Sequence, residues 1–234
     1  MIAVLTDIHG NLPALEAVLG KVDELGCERI ISLGDVTGYY AQPSECIDLL
    51  QQRDAIQLLG NHDRYLIDGS GCPRSKLVTE LLIHQEKVVS TAQREFLASL
   101  ESRYDEGDAS FVHGGWKDPL DEYVYRVEAE RFPPGFRFYF SGHTHVQCNV
   151  PLRDGRVYCN PGSVGQPRDG DHRSAFAVYT GEAVELHRVD YDIDATAQAM
   201  RDAGFDEERL WMNLYEGAQI GGRVDKITVM EQTA

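Results

Sequence analysis

The chain has 234 residues, enough for one large α/β domain or two smaller ones with a substantial buried core. Its 38 acidic and 22 basic residues give a formal net charge of −16, which argues against non-specific binding to nucleic acid or to an anionic membrane. The charge does not exclude a small anion held by a metal, because a metal ion dominates the field at its own site.

The sequence carries no recognisable targeting signal. The first apolar run begins at Ile2, where a signal peptide would lie, and no apolar stretch is long enough to span a bilayer. Five scattered cysteines without a CxxC spacing favour free thiols in a reducing compartment over a disulfide framework. We therefore expect a cytoplasmic protein.

The first half of the chain alternates between apolar runs and amphipathic segments. Strands are predicted at MIAVLTD, RIISLGD and AIQLLGN, with helices at NLPALEAVLGKVDELG and PSECIDLLQQR between them. This alternation is typical of βαβ units, which have right-handed crossovers and a largely parallel sheet.

Two more helices are predicted before the pattern changes. One covers SKLVTELLIHQEKVV, and the other begins at Ser90, where Ser-Thr-Ala-Gln has the form of a capping box. From Arg103 onward, short runs rich in β-branched and aromatic residues predict antiparallel strands and hairpins, with a tight turn at Asp154-Gly155. These runs are ASFVHGG, FRFYFSGH, VQCNVPL, GRVYCNP, SAFAVYT and AVELHRV.

The end of the chain returns to helical periodicity. IDATAQAMRDAG and EERLWMNLYEGA predict two closing helices, and the last dozen residues are expected to be loosely held. Since no linker, repeat or low-complexity segment interrupts the pattern, we expect one domain over residues 1–234. Its catalytic core would span about 1–191 and its C-terminal helical segment 192–234.

Polar side chains able to bind metal follow five of the predicted strands. Because the carboxyl ends of strands form the ligand-binding edge of an open α/β sheet, we expect these side chains to lie together. One buried histidine at a strand end is usually structural, but five such clusters are hard to attribute to chance. Their members are Asp7, His9, Asp35, Asn61, His62, Asp63, His113, His143 and His145.

The ligand types narrow the choice of metal. Imidazole and carboxylate with no cysteine nearby suit Mn, Fe, Zn, Co or Ni rather than a cysteine-built structural zinc site. Seven candidate ligands exceed the needs of one ion, so two are implied, and a carboxylate such as Asp35 can bridge a pair about 4 Å apart. Two divalent ions outweigh the carboxylates and a hydroxide, so the centre would attract phosphate even on an acidic chain.

The motifs DIHG, LGD, GNHD, VHGG and GHTH, in this order, resemble the calcineurin-like metallophosphoesterase superfamily. The similarity spans about Ile2 to Tyr191. It is greatest to small bacterial phosphodiesterase-type members, in which a motif like NPGSVGQPR, here Asn160 to Arg168, follows GHTH. The resemblance implies an α/β fold, a β-sandwich of two mixed sheets flanked by helices (αββα), and hydrolysis of phosphate esters.

The resemblance also implies a role for each motif residue. His62 would not be a ligand; it would bind the phosphoryl group and protonate the leaving oxygen while metal-bound hydroxide attacks phosphorus in line. The expected cofactors are two divalent ions, Mn in vitro or else Fe, Zn, Ni or Co, and the expected partner is a small phosphate ester. One ion would bind Asp7, His9, Asp35 and His145, and the other Asp35, Asn61, His113 and His143.

The sequence departs from part of the superfamily around the second and third motifs. Tyr39 and Leu59 stand where protein Ser/Thr phosphatases carry arginines, and Gly38 replaces an Asp that orients the catalytic histidine there. Symmetrical diadenosine tetraphosphate hydrolases also carry the arginine at the Tyr39 position. Arg168 and Arg64 are candidates for a replacement cation, since a guanidinium matches phosphate geometry. Tyr39 is a candidate for the wall of a substrate pocket.

Three functions are compatible with these residues. The leading hypothesis is a dinuclear phosphoesterase acting on phosphodiesters or nucleotide-type substrates. A phosphomonoesterase or Ser/Thr protein phosphatase is the alternative, which a basic replacement clamp would favour. A non-catalytic interaction module on the same fold is the alternative of another class, although His62 and every candidate ligand are intact. The sequence does not determine the oligomeric state.

Overall fold

The computed structural model describes residues 1–230, which form a sandwich of two five-stranded mixed sheets with helices on the outer faces. The predicted αββα architecture is thus confirmed. The strands are β1 (Ile2–Leu5), β2 (Arg29–Ser32), β3 (Ile56–Gln57), β4 (Arg103–Glu106), β5 (Ala109–Val112), β6 (Arg126–Val127), β7 (Phe138–Phe140), β8 (Cys148–Pro151), β9 (Val157–Asn160), β10 (Ser174–Tyr179), β11 (Val184–Val189) and β12 (Thr228–Val229). The helices are α1 (Leu12–Glu24), α2 (Pro43–Gln52), α3 (Asn61–Asp68), α4 (Lys76–Val88), α5 (Thr91–Ala98), α6 (Ile193–Asp202) and α7 (Met212–Glu216).

The strand order combines crossovers with hairpins. The first sheet has the order β11-β10-β1-β2-β3 and the second β4-β5-β7-β9-β8, while β6 and β12 form a small separate sheet. Strands β1, β2 and β3 are parallel, as the βαβ pattern predicts.

The prediction that the strands after Arg103 are antiparallel is wrong for three of them. Strands β5, β7 and β9 are parallel, whereas the pairs β8–β9 and β10–β11 are antiparallel as expected. Strand β4, which was not predicted, is antiparallel to β5. The predicted turn at Asp154-Gly155 joins β8 to β9, and Gly155 has a φ of 86°. Strand composition does not reveal direction; the long connections from β5 to β7 and from β7 to β9 allow crossovers.

Alternation along the strands divides the core into layers. In β1, Val4 faces the other sheet, whereas Leu5 packs against the helices. In β7, Phe138 and Phe140 lie between the sheets, and Tyr139 packs on the opposite face. Successive side chains of a strand point to opposite faces, so each sheet packs against one hydrophobic layer on each side. Packing on both faces fixes the position of the carboxyl ends of its strands.

Two helical segments differ from the prediction. GNHD, for which no helix was predicted, opens α3, and Asp63 caps this helix by accepting a hydrogen bond from Gly60 N. EERLWMNLYEGA forms a 3₁₀ turn over Glu208–Leu210 and the short α7 instead of one helix. Trp211 separates the two with a φ of −131°. Its ring is buried among the closing helices, so packing takes precedence over helical continuity.

The last dozen residues were expected to be loosely held, but they include strand β12. Thr228 and Val229 pair in parallel with Arg126 and Val127 of β6. The prediction is therefore wrong for this strand. Residues 231–234, which it also covered, lie outside the described residues.

Two further observations concern the cysteines and the helices. All five cysteines are free. In the described part of the chain, no helix is both long and apolar enough to cross a membrane.

We expect Phe140→Ala to lower the free energy of unfolding by about 3–5 kcal/mol, because it would leave a cavity between the sheets. Phe140 is fully buried and its ring stacks on Phe111 at a centroid distance of 4.8 Å. Urea unfolding measures the change. Leu186→Ala is the control, since Leu186 is 38% exposed on β11 and its loss should cost within about 0.5 kcal/mol. Equal stability of the two variants would contradict this account of the core.

Candidate metal centre

Five of the predicted ligands have left-handed backbone conformations. Among residues 1–230, six non-glycine residues have a positive φ, and five of them are Asp7, His9, Asp35, His143 and His145, with φ between 54° and 64°. Steric clashes disfavour this region for L-residues, and such strain concentrates at functional sites. The turns after β1, β2 and β7 thus maintain an unfavourable backbone that directs these side chains together.

Four side chains converge to form the first cluster. His145 Nε2 lies 3.2 Å from Asp7 Oδ1 and 3.1 Å from His9 Nε2. His9 Nε2 lies 3.7 Å from Asp7 Oδ1 and 3.8 Å from Asp35 Oδ2. All four residues are buried. The donor atoms of Asp7, His9 and His145 all lie within 4.8 Å of one another, which suits a single ion.

The tautomers of His9 and His145 follow from their outer partners. His9 Nδ1 donates to the Thr37 carbonyl oxygen at 2.8 Å, and His145 Nδ1 donates to the Gln166 carbonyl oxygen at 2.7 Å. A carbonyl oxygen only accepts, so each Nδ1 carries a proton, and in the neutral imidazole each Nε2 carries a lone pair. Two lone pairs therefore face each other at 3.1 Å in a buried space, an arrangement that a cation between them stabilises.

A second cluster shares Asp35 with the first. His113 Nε2 lies 2.9 Å from Asn61 Oδ1, 3.2 Å from His143 Nδ1 and 3.3 Å from Asp35 Oδ2. An amide oxygen, two imidazoles and a carboxylate form a donor set for a divalent transition metal. Asp35 Oδ2 borders both clusters, as a bridging ligand must.

Each carboxylate is anchored through one oxygen and directs the other into the centre. Asp7 Oδ2 accepts from Thr6 Oγ1 and His143 N, both at 2.9 Å, and Asp35 Oδ1 accepts from His62 N at 2.8 Å. Within residues 1–230, Asp7 Oδ1 and Asp35 Oδ2 are buried without a hydrogen-bond partner. Unpaired buried oxygens are costly, so these two atoms fit a bound cation.

The electrostatics of the clusters also fit a cation. Burial alone would raise the pKa of Asp7 and Asp35, but neighbouring imidazoles outweigh it and hold both pKa values well below the ordinary range. Burial alone would lower the pKa of His113, but Asp35 and Asp7 raise it to about 9. A metal ion held by His113 would have to displace this proton, so metal and protons would compete for the centre.

His62 lies beside the first cluster at the start of α3. Its ring packs against His9, Tyr39 and Tyr65, with centroid distances of 4.9, 5.0 and 5.8 Å. A Cβ placed on Gly38 would lie 2.8 Å from His62 Nδ1, so this nitrogen faces the position where phosphatases carry the orienting Asp. Within residues 1–230, His62 Nδ1 has no hydrogen-bond partner. Aromatic packing therefore replaces the carboxylate in orienting this ring.

Asp63 supports the turn that carries Asp35. Its Oδ2 accepts from Asp35 N at 2.8 Å and from Gly60 N at 3.0 Å. Its Oδ1 accepts from Thr37 N and Thr37 Oγ1, both at 2.9 Å. Burial and the nearby Asp35 raise the pKa of Asp63 to about 6. Asp63 thus joins the turn carrying Asp35 to the start of α3.

A cavity of about 470 Å³ opens beside His62 and Asn61. Tyr39 and Arg168, two of the predicted substrate-binding residues, line it. Arg168 is only 5% exposed, and its Nη2 donates to Tyr39 Oη at 3.0 Å. Its Nε donates to Gln166 Oε1 at 2.9 Å. Both of these partners are neutral.

Arg64, the third predicted substrate-binding residue, is not brought to this cavity within residues 1–230. Its side chain is 43% exposed, with Nη1 3.8 Å from Asp68 Oδ1 one helical turn away. Successive residues of a helix point in different directions, so His62 can face the centre while Arg64 faces solvent.

Sequence reasoning missed three residues that support the site. Tyr123 stacks on His143 at a centroid distance of 3.8 Å, but it lies in an irregular segment without a motif. Gln85 accepts from Gly38 N at 2.8 Å and donates to the Tyr40 carbonyl oxygen at 2.6 Å, holding the turn below His62. Gln166 belongs to the NPGSVGQPR motif, which was the available signal for it.

Comparison with known proteins agrees with this geometry. A family model described as the calcineurin-like phosphoesterase superfamily domain matches residues 1–183. An uncharacterized protein of Methanocaldococcus jannaschii is 32% identical over 215 residues, which make up 82% of this chain and 88% of that protein.

Two solved structures share the fold over nearly the whole chain. A metallophosphoesterase from Sphaerobacter thermophilus has a TM-score of 0.81 and 34% identity, covering 92% of this chain and 98% of that one. A hypothetical protein from Pyrococcus horikoshii OT3 has a TM-score of 0.79 and 21% identity, covering 94% and 100% of the two chains. The second match shows the fold alone.

We expect Gly38→Ala to lower the free energy of unfolding by more than about 1 kcal/mol, since Gly38 has a positive φ. The added Cβ would also lie 2.3 Å from His9 Nδ1, displacing the ring from the Thr37 carbonyl. Gly20→Ala in α1 is the matched control, because its Cβ would meet nothing within 4 Å. Helix propensity predicts that Gly20→Ala raises the free energy of unfolding by about 0.5–1 kcal/mol. Urea unfolding measures the free energy of unfolding of both variants. A Gly38→Ala variant as stable as Gly20→Ala would contradict the prediction.

Proposed function

The chain belongs to the calcineurin-like phosphoesterase superfamily, and on that premise we propose that it hydrolyses a phosphodiester or nucleotide-type substrate at a centre of two divalent transition-metal ions. Hydrolysis of small phosphate esters follows from the family itself. The observation that carries the dinuclear proposal is the pair of facing lone pairs on His9 and His145, beside a second cluster that shares Asp35.

The proposed ligands divide between the two clusters, with Asp35 in both. When bound, the ions would supply a Lewis acid for the phosphoryl oxygens and lower the pKa of water. Mn is the ion we propose for assays in vitro. The first set is Asp7, His9, Asp35 and His145; the second is Asp35, Asn61, His113 and His143.

His62 is the proposed catalytic residue, acting on the leaving oxygen. Burial lowers the pKa of His62 to about 4, so the side chain is neutral at pH 7 before substrate binds. A bound phosphate anion raises that pKa and favours a proton on the ring. His62 would then bind the phosphoryl group and transfer its proton to the departing alcohol.

Arg168 is the proposed cation for the phosphate. Buried charges are usually paired, yet the hydrogen-bond partners of its side chain within residues 1–230 are the neutral Gln166 and Tyr39. Its Nε and Nη2 make these bonds, which leaves Nη1 for an anion. A phosphate in the cavity would supply the missing negative charge.

The same arginine gives specific support to a second candidate, a phosphomonoesterase. A monoester dianion needs more positive charge than a diester, and a buried guanidinium can replace the clamp lost at Tyr39 and Leu59. The diester proposal retains priority because Arg168 alone is assigned to the scissile phosphate, whereas the phosphatases carry two arginines at the positions of Tyr39 and Leu59. A non-catalytic module is not retained, since the chain belongs to a phosphoester-hydrolysing family.

Other expectations from the sequence stay predictions. They are a single domain over residues 1–234, a cytoplasmic location, and no stable binding to nucleic acid or membrane.

We expect Mn-loaded protein to hydrolyse bis-p-nitrophenyl phosphate with a higher kcat/KM than p-nitrophenyl phosphate. His62→Ala should lower kcat by about 10²–10⁴-fold through loss of the general acid, with the same metal content. His172→Ala is the control, since this side chain is 52% exposed. Release of p-nitrophenol and metal analysis provide the measurements. A monoester preference would favour the second candidate, and an inactive wild type with two ions bound would refute catalysis.

We expect Arg168→Gln to lower kcat/KM for both esters by about 10–100-fold, the value of a charged hydrogen bond. The loss should be larger for the dianionic monoester. Arg64→Gln provides the comparison, because Arg64 faces solvent beside Asp68. Steady-state kinetics of both variants separate the two arginines, and equal losses would count against Arg168 as the phosphate cation.

A further inference from the structure

The cavity beside His62 is basic, although the chain carries a net charge of −16. Arg74, Arg168 and Arg223 line it, and within residues 1–230 none of the lining side chains is acidic. Asp121 and Asp225, which pair with Arg74 and Arg223, lie outside the lining. Its volume of about 470 Å³ lies within the range of small-molecule sites and exceeds the needs of one phosphate group. The cavity therefore has both the charge and the room for an anionic group beyond the scissile phosphate.

Arg74 is held rigidly at one side of the cavity. Its Nη1 donates to Asp121 Oδ2 at 2.8 Å, and its Nη2 to the other oxygen of the same carboxylate. The guanidinium lies over the Tyr123 ring, 5.4 Å from its centroid. Asp121 also lies 3.5 Å from His143 Nε2, so the arginine is tied to the metal centre. A guanidinium fixed in this way retains further N–H groups for a ligand.

Arg223 reaches the cavity from the C-terminal segment, outside the family match to residues 1–183. Its Nε lies 2.9 Å from Asp225 Oδ1, which leaves the terminal nitrogens Nη1 and Nη2 to donate to a ligand. Asp225 N donates to the Arg168 carbonyl oxygen at 2.7 Å, and Tyr125 Oη lies 3.1 Å from Asp225 Oδ2. Asp225 thus joins the segment carrying Arg223 to the segment carrying Arg168.

We propose that this cavity is a distal phosphate subsite, in which Arg74 and Arg223 bind a second phosphate group of the substrate. This rests on the proposed function, in which His62 and Arg168 bind the scissile phosphate. The substrate class is a phosphate diester whose alcohol carries another phosphate, as in esters of nucleoside bisphosphates. The C-terminal segment then adds a specificity that the matched family domain does not provide by itself.

The test compares two chromogenic esters on full-length, Mn-loaded protein. They are thymidine 5′-(p-nitrophenyl phosphate) and the same compound with a 3′-phosphate. We expect the 3′-phosphate to raise kcat/KM about tenfold, mainly through KM, because the added phosphate binds in both ground and transition states. Ionic strength of about 0.5 M should reduce the advantage by screening the exposed arginine.

Arg223→Gln and Arg74→Gln should each move the ratio of the two kcat/KM values toward one. Arg209→Gln is the matched control; Arg209 is also C-terminal, is 66% exposed and pairs with Glu207. Thermal unfolding confirms that each variant is folded. A wild-type ratio near one, or a ratio that survives the double variant, overturns the subsite while leaving phosphoesterase activity intact.

A binding measurement tests the subsite independently of catalysis. If the wild type hydrolyses neither nucleotide ester nor bis-p-nitrophenyl phosphate, the catalytic proposal fails first. Calorimetric binding of thymidine 3′,5′-bisphosphate to the Mn-loaded protein then tests the subsite alone. A Kd about tenfold weaker in Arg223→Gln than in Arg209→Gln supports the subsite, and equal Kd values refute it.

Discussion

The constraint on which the site depends is the approach of two imidazole nitrogens that cannot bond to each other. His9 Nε2 and His145 Nε2 face each other at 3.1 Å, and backbone carbonyls fix both tautomers so that lone pairs meet. In a buried space this arrangement is unfavourable unless a cation lies between them. The fold therefore stores an electrostatic cost at the point where the first proposed metal ion would bind.

The sandwich maintains this arrangement because its strand ends are rigid and its turns are strained. Asp7, His9, Asp35, His143 and His145 all have a positive φ, and such strain persists only when the surrounding structure over-determines it. Close backbone packing contributes: a Cβ on Gly165 would lie 1.9 Å from the Ile8 carbonyl oxygen. Stability and function are thus coupled at these turns, where the packing that positions the ligands leaves little room for substitution.

The charge of the cavity is opposite in sign to the net charge of the chain. An acidic chain disfavours polyanionic partners at long range, whereas the proposed metal ions and the arginines of the cavity would favour a small anion at short range. Arg168 connects the two regions, since its side chain lines the cavity and its backbone N donates to the His145 carbonyl oxygen at 3.1 Å. The acidic charge of the whole protein is therefore compatible with the small, highly charged substrate that we propose.

The sequence by itself determined most of the elements and the residues that meet at the strand ends, and its motifs, through their resemblance to a known family, implied the αββα architecture. Periodicity and motifs encode these, and both are local properties. Only the tertiary structure decided which arginine reaches the cavity, that packing rather than a carboxylate orients His62, and that β5, β7 and β9 are parallel. The reason is physical. These outcomes depend on contacts between segments far apart in the chain, and spacing along the sequence carries no information about which distant surfaces will pack together.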